Sequence, residues 1–93
     1  MYANENLPIV RTPVTVPTLQ AMKDRGERIA TLTAYDASFA RAMDAAGIDA
    51  VLVGDSLGMV IQGAGNTVSV SVDDMIHHSR CVANGLQSAM LIA

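Results

Sequence analysis

Three short runs of apolar and β-branched residues constrain this chain more than any other feature of its sequence. They span residues 28–33, 50–53 and 89–93. Each run is too short for a helix, has strand-like composition, and is separated from the next by a segment with helical spacing. Such alternation is typical of parallel sheets, in which the strands are buried on both faces. The sequence therefore predicts an α/β fold with three parallel strands, and a second strand buried on both faces.

Three helices are predicted around these strands, because each helical segment has a capping residue before it and a glycine after it. The third helix, at about residues 72–84, begins with an acidic variant of the capping box and follows a short extended stretch. Residues 54–66 carry four of the seven glycines and are predicted to form a loop. The capping residues and closing glycines are, in chain order, Thr15 and Gly26, Asp36 and Gly47, and Ser71 and Gly85.

The two ends of the chain differ in character. All three prolines lie within residues 1–17, which predicts an extended or disordered arm over residues 1–14. The third strand has no helix after it, so one of its faces and one edge would be uncovered. We therefore expect residues 15–93 to be the N-terminal portion of a larger parallel α/β protein, truncated after the third strand.

Composition excludes several classes of function. No run of 18 apolar residues is present, and no signal peptide is visible, so neither a membrane span nor a secreted protein is expected. A single cysteine, Cys81, excludes an internal disulfide and a cysteine-based zinc site, and it suits a reducing compartment. A net charge of −3 and 3% aromatic residues argue against nucleic acid as a partner. We expect a cytoplasmic protein that binds neither nucleic acid nor membranes.

Polar residues follow the first two predicted strands, at residues 33–36 and 54–58. Because the carboxyl ends of parallel strands meet at one edge of a sheet, these two segments should converge. Asp55 is either an oxygen ligand for a cation such as Mg²⁺ or a turn residue that caps local amides. Ser56 is likewise either a binding group or a loop residue. Tyr35 can line the same site, whereas Asp36 is better explained as a helix cap.

A hydrolase is an alternative hypothesis from the same residues. The segment 54–58 matches the G-x-S-x-G nucleophile elbow and resembles the signature of GDSL esterases, which pair their serine with a D-x-x-H motif. Asp74 and His77 fit that motif, so Ser56 and His77 are the candidate pair. Glycines rather than a helix are expected directly after Ser56, and Asp74 already serves a helix cap, which weakens this hypothesis. Of the adjacent His77 and His78, one should be at the surface and the other partly buried.

Several ordered motifs resemble the ketopantoate hydroxymethyltransferase family from about residue 15 to residue 93. In one-letter code, they are LTAYDASFA at 32–40, AGID at 46–49, VGDSLGMV at 53–60, QG at 62–63 and VDDMIxH at 72–78, where x is any residue. The order and spacing of these motifs make the resemblance more specific than any one of them. The loop at 64–69 departs from the family pattern, which has a proline there, but the departure does not involve Asp55 or Ser56.

The resemblance implies that the chain is the N-terminal part, about three βα units, of a (β/α)8 TIM barrel. It also implies a hydroxymethyltransferase that moves a one-carbon unit from 5,10-methylenetetrahydrofolate to 3-methyl-2-oxobutanoate. The product is 2-dehydropantoate, for pantothenate and coenzyme A biosynthesis. Mg²⁺ chelated by the 2-oxo acid would act as a Lewis acid in this reaction.

Only part of the family's site carries over to this sequence. Asp55 matches the first metal-ligating aspartate, and Asp55 and Ser56 match the contacts with the 2-oxo acid. The second metal-ligating aspartate and the catalytic glutamate base would fall beyond residue 93, so no catalytic base and no complete active site is expected here. The family resemblance also implies a homo-oligomer. The alternative within barrel enzymes is the phosphoenolpyruvate mutase and isocitrate lyase type, which also binds 2-oxo acids through Mg²⁺.

Overall fold

The computed structural model describes residues 11–93 of the chain. Three parallel strands form one sheet in the order β1-β2-β3, which confirms the predicted α/β architecture. None of the described helices is long and apolar enough to cross a membrane. In chain order the elements are α1 Val16–Asp24, β1 Thr31–Thr33, α2 Ala37–Ala45, β2 Ala50–Leu52, α3 Leu57–Val60, α4 Val72–Gly85 and β3 Met90–Ile92.

Helices cover one face of this sheet. Val51 is in register with Leu32 on one side and Leu91 on the other, so these three side chains share a face. Val51 is fully buried, and it packs in one cluster with Ala40 of α2 and Val82 of α4, which are fully buried too. The hydrophobic core therefore lies between the sheet and the pair of helices α2 and α4.

The other face of the sheet is partly open to solvent. It carries Thr33, Leu52 and Ile92, which are in register with one another. Leu52 is 39% exposed and Ile92 is 37% exposed. The prediction that the second strand is buried on both faces is therefore wrong at Leu52, although Ala50 on the same face is only 1% exposed.

The helix boundaries follow the predicted capping residues. Gly26 and Gly47 adopt positive φ angles of 73° and 93°, a backbone conformation that glycine reaches without steric cost. The structure confirms all three caps, in which Thr15 accepts a hydrogen bond from the Thr18 amide, Asp36 from the Phe39 amide and Ser71 from the Asp74 amide.

Two segments between β2 and α4 differ from the predictions. The expected loop at residues 54–66 contains the short helix α3, with Leu57 fully buried in the core cluster. A four-residue helix is barely longer than one turn, so it leaves no periodic signal in a sequence. Of the extended stretch predicted before α4, residues 68–69 form a turn instead, whereas Ser71 directly before the helix has an extended backbone.

The proposed N-terminal arm falls mostly outside the described residues, which begin at Arg11. Residues 11–14 form neither helix nor strand, and they lie on the body of the protein. The Val14 amide donates to the Ser88 carbonyl at 2.7 Å, and the Arg11 guanidinium donates to the Ile48 carbonyl at 3.1 Å. This part of the arm is thus anchored by hydrogen bonds.

Asp44, at the end of α2, holds the loop that leads into β3. Its carboxylate accepts hydrogen bonds from the backbone amides of Gln87, Ser88 and Ala89 at 3.2, 3.1 and 2.7 Å. It also pairs with Arg11 at 3.4 Å. Burial of Asp44 tends to raise its pKa, but the three amides and the Arg11 charge together outweigh that effect and lower the pKa.

We expect Asp44→Asn to remove an acid-dependent part of the stability. Because the pKa of Asp44 is lower in the folded state, its contribution is complete above the unfolded pKa of about 4 and is lost as pH falls through the folded value. Chemical unfolding between pH 7 and pH 3 should show a smaller loss of stability in the variant than in the unmodified protein. Asp24→Asn, at an exposed helix end, is the matched control, and equal acid dependence in all three proteins would contradict this role.

The helices α2 and α4 approach each other closely at Gly85. A Cβ atom at this position would collide with the backbone carbonyl of Ala37 and lie 3.0 Å from the Cβ of Ala40. Neither group can move without displacing α2. Gly85 therefore serves the helix contact rather than a positive φ angle.

We expect Gly85→Ala to destabilise the protein by about 1–3 kcal/mol, the usual cost of overpacking. Alanine in a helix is normally stabilising relative to glycine, so the opposite sign isolates the steric effect. Gly65→Ala is the control, because a Cβ atom there would meet nothing within 4 Å. Thermal unfolding of both variants measures the difference, and a Gly85→Ala variant as stable as the control would refute the proposed contact.

Candidate functional site

The carboxyl ends of β1 and β2 converge, as their polar residues predict. The sheet pairing continues past the strands, since the Ala34 amide donates to the Leu52 carbonyl at 3.2 Å. Tyr35 follows β1 and Ser56 follows β2, and their hydroxyl groups share a short hydrogen bond. The two loops are thereby joined by a direct side-chain contact.

Ser56 directly precedes the helix α3, but its hydroxyl does not cap that helix. Its backbone is already helical, with φ −58° and ψ −15°, and its side chain makes no capping hydrogen bond. A serine before a helix usually accepts a hydrogen bond from an amide of the first turn. Here the half-buried hydroxyl is paired with Tyr35 instead.

Asp55 is exposed at the same end of the sheet. The ion pairs within residues 11–93 are Arg11–Asp44 and Arg25–Glu27, so the Asp55 carboxylate takes part in neither. Within the same residues, no three acidic, histidine or cysteine side chains are grouped closely enough to hold a metal ion. Asp55 is thus the sequence neighbour of Ser56, at the end of the sheet where the Tyr35 and Ser56 hydroxyls meet.

His78 of α4 connects this site to the helix layer. Its Nδ1 atom lies 2.8 Å from the Tyr35 carbonyl oxygen, and a carbonyl only accepts, so Nδ1 carries the hydrogen. His78 is half-buried and His77 is exposed, which confirms the prediction for this pair.

Asp74 belongs to the cap of α4 rather than to a catalytic pair. The Ser71 amide is the main cause of its lowered pKa, with further hydrogen bonds from the Gln62 side chain and the Ser71 hydroxyl. The Ser71 amide donates to the carboxylate at 3.0 Å, and the Asp74 amide donates to the Ser71 hydroxyl at 3.0 Å. Asp36 is similarly occupied, since it accepts from the Phe39 amide at 2.8 Å.

The structure meets only one of two geometric requirements of the esterase hypothesis, which are a helix directly after the serine and a histidine beside it. A helix does follow Ser56 directly, contrary to the sequence-based expectation, because Leu57 buries itself in the core and draws the chain into a turn. The histidine is not in place, however. Ser56 is paired with Tyr35, whereas the Nε2 atom of His77 lies 3.8 Å from the sulfur of Cys81.

The sequence predicts that Tyr35, Asp55 and Ser56 belong to this site, but it predicts no role there for His78. The partner of His78 is a backbone carbonyl, which has no sequence identity of its own. No sequence motif indicates that a histidine side chain will bond to the backbone carbonyl of another element. Only the packing of α4 against the sheet reveals it.

We expect no labelling of Ser56 by a fluorophosphonate probe. An activated serine needs a base within hydrogen-bond reach, and the hydroxyl partner of Ser56 is a phenol. Mass spectrometry after exposure to the probe tests this, with a known serine esterase as the positive control. Stoichiometric labelling that is lost in Ser56→Ala would restore the esterase hypothesis.

Comparison with known proteins agrees with the motifs. The family model for ketopantoate hydroxymethyltransferase matches residues 13–93. The 3-methyl-2-oxobutanoate hydroxymethyltransferase of Leptothrix cholodnii is 56% identical over 85 residues, covering 89% of this chain and 29% of that protein. The enzyme of the same name from Thiobacillus denitrificans is 58% identical over 81 residues, covering 87% and 31%. That from Methylobacillus flagellatus is 63% identical over 75 residues, covering 81% and 29%.

The chain thus spans less than a third of the length of these relatives, 29% to 31%. The family match covers β1 to β3 and every helix within residues 11–93, and therefore includes every residue of the candidate site. It also decides against the phosphoenolpyruvate mutase and isocitrate lyase type, because the matched family is a different one. This chain belongs to the ketopantoate hydroxymethyltransferase family.

Proposed function

We propose that this chain supplies the N-terminal portion of a hydroxymethyltransferase that acts on 3-methyl-2-oxobutanoate. The one-carbon donor is 5,10-methylenetetrahydrofolate, and the product is 2-dehydropantoate, an intermediate of pantothenate and coenzyme A biosynthesis. The observation that carries this proposal is the pair Asp55 and Ser56 at the carboxyl end of β2, inside the segment that matches the family. The complete enzyme would be cytoplasmic and homo-oligomeric.

The donor atoms of the candidate site suit Mg²⁺, a hard cation that prefers oxygen ligands. Asp55 contributes an exposed carboxylate, with the Ser56 hydroxyl as its neighbour in sequence. Mg²⁺ is usually held by one or two carboxylates together with substrate and water. Asp55 would therefore be one protein ligand, and others would come from outside residues 11–93. When bound, the cation would act as a Lewis acid on the 2-oxo acid.

The chain's own residues would bind and orient the substrate. The Ser56 hydroxyl would donate a hydrogen bond to the carboxylate of the 2-oxo acid, and Asp55 would hold the cation that the same substrate chelates. The general base that removes the C3 proton is expected outside this chain, in the remainder of the complete enzyme. The described residues thus contribute binding and orientation rather than proton transfer.

We also propose that the three strands are part of a (β/α)8 barrel. The half-exposed Leu52 and Ile92 on the open face of the sheet would then line the barrel interior. On the helix side, an apolar cleft of about 310 Å³ lies beside β1 and would be covered by a further helix of the barrel. The cleft is lined by Ala30, Leu32, Ala42, Met43, Ala46, Gly47 and Ile48.

A chimera tests the proposed function. Residues 13–93 of this chain replace the matching segment of the Methylobacillus flagellatus relative, and formation of 2-dehydropantoate is measured at several Mg²⁺ concentrations. We expect an active chimera in which Asp55→Asn lowers kcat/KM and the apparent affinity for Mg²⁺ by roughly 10- to 100-fold, since it removes a charged ligand.

Asp73→Asn is the matched control, because Asp73 is an exposed carboxylate in the first turn of α4. It should leave both the activity and the Mg²⁺ dependence unchanged. A folded but inactive chimera would contradict the proposed reaction. An active chimera that is indifferent to Asp55→Asn would contradict the assigned role of Asp55.

A further inference from the structure

We infer that Tyr35 is a positioning residue that aims the Ser56 hydroxyl at the carboxylate of the 2-oxo acid, and that His78 holds Tyr35 in place. The inference rests on the proposed function, which assigns Ser56 to the substrate. It adds two residues from other elements of the fold, one following β1 and one on α4. Neither of them needs to touch the substrate.

The hydrogen bond between the Tyr35 and Ser56 hydroxyls has a favoured direction. A phenol is a better donor than an aliphatic hydroxyl, so the favoured arrangement has Tyr35 donating to the Ser56 oxygen. The hydrogen of Ser56 is then directed away from Tyr35 and is available to an acceptor outside the pair. A substrate carboxylate is such an acceptor, and it offers only lone pairs.

The Ser56 hydroxyl serves no helix cap, so it is available for a contact between the two loops. It precedes the helix α3 without capping it, and the helix amide hydrogen bonds run to backbone carbonyls instead. A capping residue has an extended backbone, so the helical backbone of Ser56 leaves its hydroxyl free for the contact with Tyr35. The contact with Tyr35 holds the hydroxyl near the carboxyl end of β2, where Asp55 is its neighbour in sequence.

Tyr35 is itself held by contacts with two other elements of the fold. The preceding residue, Ala34, is 3% exposed, and its amide is paired with β2. The Tyr35 carbonyl accepts from Nδ1 of His78 at 2.8 Å, and its ring packs against the core cluster. The backbone that carries the phenol is therefore held by hydrogen bonds at both Ala34 and Tyr35. A group that is already oriented loses less conformational entropy when the substrate binds.

Tyr35→Phe in the active chimera tests the inference, because it removes one hydroxyl and keeps the ring. We expect KM for the 2-oxo acid to rise roughly 3- to 10-fold, the usual worth of one neutral hydrogen bond. KM for the folate co-substrate should stay unchanged. Ser56→Ala should raise the same KM, and Tyr35→Phe should add nothing further in the Ser56→Ala background.

That double-variant result separates positioning from a merely structural role. If Tyr35 only stabilised the loop, its loss would weaken binding equally with or without the Ser56 hydroxyl. Additive effects of the two substitutions would therefore overturn the inference, as would an unchanged KM in Tyr35→Phe. Both outcomes occur in an active chimera, so they are distinct from failure of the proposed function, in which the chimera makes no product.

His78 provides an independent arm of the test. The side-chain nitrogen of asparagine lies as many bonds from Cα as Nδ1 of histidine, so His78→Asn keeps a donor for the Tyr35 carbonyl. We expect His78→Ala to raise KM for the 2-oxo acid and His78→Asn to restore most of the loss. His77→Asn, on the exposed neighbour, is the control and should change neither KM. Equal effects of His78→Ala and His78→Asn would contradict the holding role of His78.

Discussion

The carboxylate of Asp44 is the contact on which the arrangement of this fold depends. It accepts hydrogen bonds from three consecutive backbone amides in the loop before β3. The Asp44 side chain is only 11% exposed, and it forms an ion pair with Arg11. The contacts of the Ser88 and Ala89 amides are part-buried, so without Asp44 these two amides would be left without a partner away from bulk water. One side chain thus connects the end of α2, the entry to β3 and the N-terminal segment. Because β3 follows this loop and pairs with β2, the same contact holds the chain where it enters the sheet.

A second constraint sets how closely the helix layer approaches. α4 can lie against the start of α2 because Gly85 has no side chain, and this brings Val82 into the core beside Ala40. The same helix carries His78 to the Tyr35 carbonyl. The position of α4 therefore determines both the close packing at Gly85 and the hydrogen bond between His78 and the candidate site.

The local structure of this chain could be predicted from its sequence where the cause was local. Thr15, Asp36 and Ser71 cap helices, and Gly26 ends one with a positive φ angle, because those effects depend on a few neighbouring residues. The helix α3 was not predicted, because its four residues are held by the burial of Leu57 rather than by any pattern. Leu52 was assigned to a buried face because an apolar run looks the same whether or not a neighbour covers it.

In the candidate site, too, some features could be predicted from the sequence and others depend on packing. Tyr35 and Ser56 were placed near each other by topology alone, since both follow parallel strands. The hydrogen bond between them and the role of His78 depend on side-chain rotamers and on the packing of α4, which no spacing encodes. Asp55 remained ambiguous between a ligand and a turn residue for a similar reason: the two roles require the same residue in the same place.

Asp55 and Ser56 are adjacent in sequence but differ in how strongly the fold restrains them. Ser56 is half-buried and tied through Tyr35 to two other elements, whereas Asp55 is exposed and belongs to neither ion pair within residues 11–93. Under the proposed function, the group that recognises the substrate carboxylate is oriented before binding. The carboxylate that ligates the cation keeps the freedom to adjust, which suits a cation whose remaining ligands arrive with substrate and water.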